Sequence, residues 1–451
     1  MFVHPCCWVV QWRGHQIKGG GRRARRRTDW TVGRGHMTGK YMTDHKCRLC
    51  GHALVEDFID LGMSPLANSY VPHERADHME PFYPLHAFVC HHCWLVQLAH
   101  IVRPEDIFHD YLYFSSFSDS WLRHCEAYTN LVAERFKLGP DSHVVEVASN
   151  DGYLLQFFKK RGIPVLGIEP AANVAAAAEQ KGIPTDIAFF GVATAERLKA
   201  AGKNADLIAA KNVLAHVPDL NDFIGGFKVL LKPSGVVTVE FPHLLRLMNE
   251  NQFDTIYHEH FSYLSFSVAE RAFARHGLVL FDVDELPTHG GSLRIYARHL
   301  EDDSKAVTSA VERMRAREHQ AGLDGLAVYR QFAQQIAETK CAVLEFFIAA
   351  KRAGKTVAGY GAPAKGNTLL NYCGVRTDMI GFTVDRSPHK QGMLLPGTHI
   401  PIRAPDAIFE AKPDYVFILP WNLKDEIAEQ MAGVRSWGGK FVTPIPTVRV
   451  F

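Results

Sequence analysis

The stretch His143-Val144-Val145-Glu146-Val147-Ala148-Ser149-Asn150-Asp151-Gly152 decides the fold. Its first five residues read as a buried strand, because apolar residues run on without the polar alternation of a half-exposed one. Ala148 to Gly152 then turn the chain, and Tyr153-Leu154-Leu155-Gln156-Phe157-Phe158 reads as a helix. The next strand, Val165-Leu166-Gly167-Ile168-Glu169-Pro170, ends in an acid. The spacing from Gly152 to Glu169 suits an α/β unit whose second strand presents a carboxylate to ribose hydroxyls. No GxGxxG follows the first strand, which disfavours a dinucleotide-binding unit.

This unit resembles the class I S-adenosylmethionine methyltransferases. In that family the first strand carries an acid and leads into a glycine-rich loop. Here Glu146 supplies the acid, Gly152 is the glycine that remains, and Ala148 and Asn150 stand where glycine is common. Both are small enough to leave room for close approach of the methionine part. Downstream, Asp206–Asn212 reads as the fourth strand, and Asn212-Val213-Leu214-Ala215-His216-Val217-Pro218 follows where such enzymes place residues near the reactive methyl. Leu230–Glu240 reads as helix, turn and strand. The resemblance implies a cofactor site built from Glu146, Ala148, Asn150, Asp151, Gly152, Glu169, Pro170 and Asn212.

Toward the N-terminus stand two CxxC pairs, Cys47-Arg48-Leu49-Cys50-Gly51 and Cys90-His91-His92-Cys93, with 39 residues between the inner cysteines. Each turn aims two thiolates at one point, and two turns complete a tetrahedral shell that suits Zn2+. Four thiolates leave no open position for water, so the expected site is structural. His91 and His92 lie inside the second turn, outside that ligand set. Asp60 to Tyr70, between the pairs, is rich in turn formers and reads as loop.

Farther along, Tyr257-His258-Glu259-His260-Phe261-Ser262-Tyr263 packs two histidines, a carboxylate and two tyrosines into seven residues. The Tyr-rich Tyr111–Ser118 lies upstream of it and Thr288-His289-Gly290-Gly291-Ser292 downstream. Such a density of titratable and phenolic groups points to a site. His258 and His260 on one strand face would also offer two metal ligands, though no third is near in sequence. At the C-terminal end, after long helical patterns over 305–350, Lys355-Thr356-Val357-Ala358-Gly359-Tyr360-Gly361-Ala362-Pro363-Ala364-Lys365-Gly366-Asn367 reads as strand, glycine loop and helix. The strands 381–385 and 414–420 make it a second Rossmann-like unit. Its loop is neither a Walker motif nor a full GxGxxG. Amides at a helix N-terminus together with Lys365 nevertheless suit a diphosphate. A ligand-free, degenerate lobe is the alternative.

Taken in order, the CxxC pairs, the Tyr-rich segment, Glu146–Gly152, Tyr257–His260 and His289–Ser292 resemble the deoxysugar C-methyltransferases, a family that includes the enzyme of tetronitrose biosynthesis. The likeness covers residues 43–451. It implies a dTDP-linked 4-keto-6-deoxy sugar as substrate, S-adenosylmethionine as methyl donor and His260 as base, with Glu259 and Tyr257 as its neighbours. It also implies that Tyr111 and His216 line the site. Carbon methylation needs a carbanion, and a keto group beside the carbon spreads the charge onto oxygen as an enolate. A neutral imidazole is a suitable base, with Glu259 orienting it or holding a sugar hydroxyl. Lys365, Gly361, Asn367 and His289 are the remaining candidate substrate contacts.

Composition bounds these readings. The chain has 451 residues, 47% hydrophobic and 22% charged, an ordinary globular balance of two or three domains. The net charge of +2 hides nine Lys/Arg against one acid in residues 1–41, leaving the body at −6. Nucleic-acid binding would rest on that tail alone, and is not expected. The tail reads as disordered: an anion binder, a targeting segment or a non-native extension ahead of Met37 or Met42. Nine cysteines, four of them in close pairs, indicate metal in a reducing, cytoplasmic setting rather than disulfides. No apolar run reaches the length of a membrane span. The expected organisation is a tail over 1–42, a zinc module over 43–105, a methyltransferase domain over 106–300, and a helical connector with the second Rossmann-like domain over 301–451.

Overall fold

The computed structural model describes residues 45–100, 115–117 and 119–451; the basic tail and Tyr111 lie outside the described residues. The central sheet contains Val144–Val147, Val165–Ile168, Thr185–Asp186, Ala205–Lys211, Leu231–Pro242, Leu278–Leu286 and Ser292–His299. Numbered along the chain within this lobe, their spatial order is 6-7-5-4-1-2-3, and the seventh strand runs antiparallel to both neighbours. Strands 1 to 5 are parallel and apolar because helices cover both faces. The order reverses between strand 1 and strand 4. Ligands of open α/β sheets bind in the crevice at such a switch point, beyond the carboxyl ends of the strands. Ala148–Gly152 and Asn212 occupy that position.

A second parallel sheet has strands Val357–Tyr360, Thr383–Val384, Ile402–Arg403, Tyr415–Ile418 and Lys440–Thr443, with Arg449–Val450 antiparallel at the edge. Their order is 3-2-1-4-5-6, that of a dinucleotide-binding fold. Its switch point lies between the ends of Val357–Tyr360 and Tyr415–Ile418, where Gly361 and Trp421 emerge. The second Rossmann-like unit is therefore present. It is reached through the helices Ser309–Gln320 and Leu326–Arg352. The longer helix buries Tyr329, Phe332, Ile336, Thr339, Val343, Phe347 and Ala350, the three-and-four spacing of one apolar face. Phe332 stacks on Phe58 of the zinc module at 5.4 Å.

The zinc module is a four-stranded antiparallel sheet, and its fourth strand is not its own. Glu56–Ser64, Tyr83–Val89 and Val96–Leu98 are completed by Ser262–Tyr263, with Ser262 opposite Gln97 and Tyr263 opposite Val96. Asp60–Ser64, expected as loop, extends the first strand instead; register shifts at Asp57/Ile59 and Asp60/Met63 let turn-forming residues ride in a bulged edge. Arg48 of the first knuckle donates to the carbonyls of Leu98 (2.7 Å) and Phe261. Asn221 Nδ2 caps the Arg48 carbonyl at 2.9 Å. Cys47, Leu49 and Leu95 pack into the same core as Val145, Val237 and Phe266. Among the described residues, no helix is long and apolar enough to cross a membrane.

The knuckles thus hold the strand that follows His260. Cys90→Ser should lose the metal, lower the thermal midpoint and sharply reduce methyl transfer, although the site has no part in the chemistry. Metal content, a melting curve and activity on one preparation check this.

Candidate active site

In the loop after the first strand, two non-glycine residues adopt the backbone conformation that glycine favours. Ala148 and Asn150 have φ of 58° and 48°, and Gly152 has 74°. Left-handed conformations at these positions cost little for glycine and roughly 1–3 kcal/mol otherwise, a strain retained where a ligand must be approached closely. At Gly152 a Cβ would lie 2.5 Å from Ile183 Cδ1, so this glycine cannot be replaced without displacement. Glu169 ends the second strand and accepts the amides of Asn150 (2.9 Å) and Ala171 (3.0 Å). Lys181 clamps Asp151 through its carbonyl and Oδ2, both at 2.9 Å. Among the described residues, Ser149 Oγ, Asp151 Oδ1 and Asn212 Oδ1 are buried without a hydrogen-bond partner. Unmet oxygens on Asp151 and Asn212 beside an acid-tipped strand suit a cationic, hydroxyl-bearing nucleoside, so the residues present fit S-adenosylmethionine. Pro170, next to Glu169, sits on the same rim.

The loop leaving the fourth strand starts at Asn212 (φ 52°), whose amide bonds the Glu240 carbonyl at 2.8 Å. It brings His216 edge-on to His260, with ring centroids 4.7 Å apart. Phe261 N bonds the Ala215 carbonyl at 2.7 Å, tying the two segments together. His260 Nδ1 lies 2.8 Å from the Thr255 carbonyl, and its Nε2 lies 2.9 Å from the Tyr257 hydroxyl. A carbonyl only accepts, so Nδ1 carries the proton and Nε2 presents its lone pair to the phenol. Burial holds the His260 imidazole well below its usual range, reinforced by His216, and the Thr255 bond only partly offsets this. His216, also by burial, falls to about 4. Both rings are neutral at physiological pH.

Glu259 does not orient His260. Asn68 Nδ2 donates to its Oε1 at 2.7 Å, and burial raises the carboxyl above its ordinary value. His258 is buried with its ring edge-on to Tyr83 of the zinc module at 5.9 Å. The paired-histidine metal reading is therefore corrected: the segment is irregular rather than a strand, and no ligand cluster containing His258 or His260 occurs among the described residues. The four knuckle cysteines do cluster. Cys47 and Cys93 Sγ are 3.5 Å apart, as are Cys50 and Cys90, and all four lie within 4.8 Å. A tetrahedron with Zn–S bonds of about 2.3 Å has sulfur–sulfur edges of roughly 3.8 Å, so the donors fit Zn2+.

The C-terminal lobe repeats the cofactor architecture. Asp385 follows its second strand and accepts the Ala362 amide on Oδ2 (2.7 Å) and the Ser387 amide on Oδ1 (2.8 Å). Glu169 makes the same pair of bonds: one to the loop after strand 1, one two residues ahead. Gly361 (φ 88°) turns this loop so tightly that a Cβ would meet Pro420 at 2.5 Å. Lys365 lies over the Trp421 ring at 4.3 Å and bonds Asn422. Asn367 instead faces the zinc module, donating to the Ala67 carbonyl at 2.7 Å. His289, in a left-handed turn (φ 56°), meets Trp121 edge-on at 5.3 Å; burial and then Lys365 lower it to about 4.

Sequence reasoning missed several groups. Tyr70 donates to the Ala362 carbonyl, which Lys390 also reaches at 2.8 Å, so a zinc-module tyrosine and a C-terminal lysine converge on one loop. Lys211, Glu240 and Arg294 are cross-strand neighbours in register at the carboxyl end of the central sheet. Arg294 Nε reaches Glu240 Oε1 at 2.7 Å, Lys211 contacts the same oxygen, and His124 Nε2 lies 2.9 Å from Oε2. Burial would push the Glu240 carboxyl up, but Lys211, His124 and Arg294 together hold it below the carboxylate range. The signal was a charged residue inside or at the end of each of three apolar strands, at 211, 240 and 294.

Fold and site define an S-adenosylmethionine-dependent methyltransferase carrying a four-cysteine zinc module. Comparison with known proteins narrows this. Residues 47–108 match a zinc binding domain family, 120–283 a methyltransferase domain family, and 287–446 the C-methyltransferase C-terminal domain family. The C-methyltransferase NovU of Streptomyces niveus is 37% identical over 405 residues, 90% of this chain and 96% of its own. A ubiquinone biosynthesis O-methyltransferase of Paramagnetospirillum magneticum is 36% identical over 97 residues, 21% of this chain and 37% of its own. A solved S-adenosylmethionine-dependent methyltransferase from Mesorhizobium loti is 15% identical, with a TM-score of 0.32 over 40% of this chain and 100% of its own. The chain belongs to the C-methyltransferase family of which NovU is a member.

One group gives a separable pH signature. Asp254 is fully buried, and its Oδ2 accepts from Trp421 Nε1 at 2.7 Å. Burial raises it from 3.8 to about 7, against the pull of Lys365. The folded state thus holds a proton the unfolded state releases, and stability from this group is lost as pH rises from 3.8 through about 7. Asp254→Asn should therefore gain on the wild type across that window and plateau above it, as read by denaturant midpoints at several pH values.

Proposed function

We propose that the chain methylates a carbon beside the ketone of a nucleotide-linked, dTDP-type 4-keto-deoxy sugar, with His260 as the base. What carries this reading is the fixed tautomer of His260: Nδ1–H tied to the Thr255 carbonyl, and Nε2 basic, neutral and 2.9 Å from a phenol. S-adenosylmethionine supplies the methyl group. The protein's part is to make the nucleophile.

Nε2 takes the proton on the carbon next to the keto group, and the Thr255 carbonyl stabilises the imidazolium that forms. The Tyr257 hydroxyl, released from Nε2, turns its proton toward the developing enolate oxygen; His216 borders the same space. A donor aimed at charge as it develops lowers the barrier more than one that binds the ketone equally well. Glu259, with its raised affinity for a proton, accepts a sugar hydroxyl, and Asn68 fixes its rotamer. The cofactor residues are Glu146, Ala148, Asn150, Asp151, Gly152, Glu169, Pro170 and Asn212.

The nucleotide lies against the second lobe. The match between Asp385 and Glu169 supports a ribose there, and Lys365 with the Gly361 turn supports the diphosphate. His289 faces the sugar side. Asn367 holds the zinc module and leaves the substrate to its neighbours. In this reading the modules span 43–105, 106–300 and 301–451, and four reduced thiolates suit a reducing, cytoplasmic setting.

His260→Ala should lower kcat/KM by about 10² to 10⁴-fold while S-adenosylmethionine affinity stays within about threefold. It should also abolish exchange of the substrate's α-proton for deuterium in the absence of methyl donor. Retained exchange would remove His260 from the base role. For the wild type, the acid limb of kcat/KM should fall below the ordinary imidazole value of 6.5, because burial disfavours the protonated ring. A substrate panel with a labelled methyl donor separates a sugar nucleotide from another small ketone or phenol.

A further inference from the structure

The four-cysteine cluster is not enclosed evenly. Cys47, Cys90 and Cys93 are buried, whereas Cys50 is half-buried. On that side stand two exposed imidazoles, His52 and His92. Each follows a knuckle cysteine by two residues: His52 follows Cys50, and His92 follows Cys90. Because Cys50 and Cys90 Sγ are 3.5 Å apart, the turns deliver both rings to one place. The rings stack with centroids 3.8 Å apart and planes within 9°. One ligand atom each from Cys50, His52 and His92 lies within 4.8 Å of the other two, so a small ring rotation would let all three meet one ion.

We propose that Cys50, His52 and His92 form a second, outer metal site through which Zn2+ passes into and out of the four-thiolate site. The donor set, one thiolate and two imidazoles, selects a borderline d-block dication. It leaves a position for water, unlike the closed inner shell, so an ion held there remains exchangeable. Cys50 belongs to both sites and is the step between them. As the ion moves inward, its bonds to two imidazoles and one water break and bonds to Cys47, Cys90 and Cys93 form. Three thiol protons leave to solvent or to the freed rings, and no electron transfer is involved. Metal exchange proceeds by such stepwise replacement, and three buried sulfurs alone offer no first foothold.

The test uses full-length protein already carrying one zinc per chain, titrated with Co2+. The wild type should take up one further ion, with ligand-field bands and a thiolate charge-transfer band reporting Cys50. His52→Ala/His92→Ala should weaken that uptake by at least about tenfold, the scale on which even an outer-shell partner matters. It should also slow transfer of the inner zinc to a colorimetric chelator by a similar factor, while keeping one tightly held zinc and full methyl transfer. The retained zinc shows that the variant is folded. A wild-type chain that takes up no second ion overturns the proposal. So does a double variant that still binds Co2+ as tightly or gives up its zinc as fast.

Discussion

One short antiparallel ladder, Ser262 opposite Gln97 and Tyr263 opposite Val96, with the Leu98 amide on the Phe261 carbonyl at 3.0 Å, holds the site together. It makes the segment after His260 a strand of the zinc module's sheet. The same segment also reaches both α/β lobes. Phe261 N reaches the Ala215 carbonyl, while Thr368 Oγ1 and Trp421 Nε1 of the C-terminal lobe reach Ile256 O and Asp254 Oδ2. Residues 253–263 therefore bridge the two switch points, with Trp421 near the end of strand 4 in one sheet and His216 near the end of strand 4 in the other. A segment fixed from three directions loses little further freedom when substrate binds, which suits the base role proposed for His260.

This constraint explains why a structural metal belongs in a carbon methyltransferase. The zinc module is small, and a metal staple supplies stability that its own core cannot. The knuckles also carry Arg48, whose guanidinium binds the carbonyls of Leu98 and Phe261, one on each side of the join between the module's own strand and the added one. The buried charge network at 211, 240 and 294 joins three adjacent strands of the central sheet. A paired buried charge gives little net stability, but its geometry is exacting, and it holds His124 against Trp121 at a stacking distance of 5.0 Å.

Much of this was legible in the sequence. Long apolar runs, punctuated turns and acid-tipped strands gave both α/β lobes within a residue or two, since parallel strands covered on both faces leave an uninterrupted signature. The CxxC pairs announced the metal because two short turns can do little else together. The alternation at His258 and His260 left a shared-face metal site open as an alternative, and it falls because the two residues lie in a turn ahead of the strand. Glu259 was read as orienting His260 or as holding a sugar hydroxyl, and the contacts of His260 set the first of these aside. That role falls to a backbone carbonyl at Thr255, and backbone groups carry no residue label to read. The roles of Tyr70 and Asn68 were equally hidden, because they arise only when the zinc module meets segments 292 and 191 residues away, and that of Lys390 because its partner is another backbone carbonyl.

The central claim is that three modules aim one neutral nitrogen at a substrate carbon. A crystal structure of the chain with S-adenosylhomocysteine and a dTDP-linked keto sugar tests it most directly. The account predicts His260 Nε2 within about 3.5 Å of the carbon beside the ketone, with Tyr257 turned from the imidazole to the keto oxygen. A sugar lying elsewhere, with the Tyr257–His260 bond intact and the ring out of its reach, would contradict it.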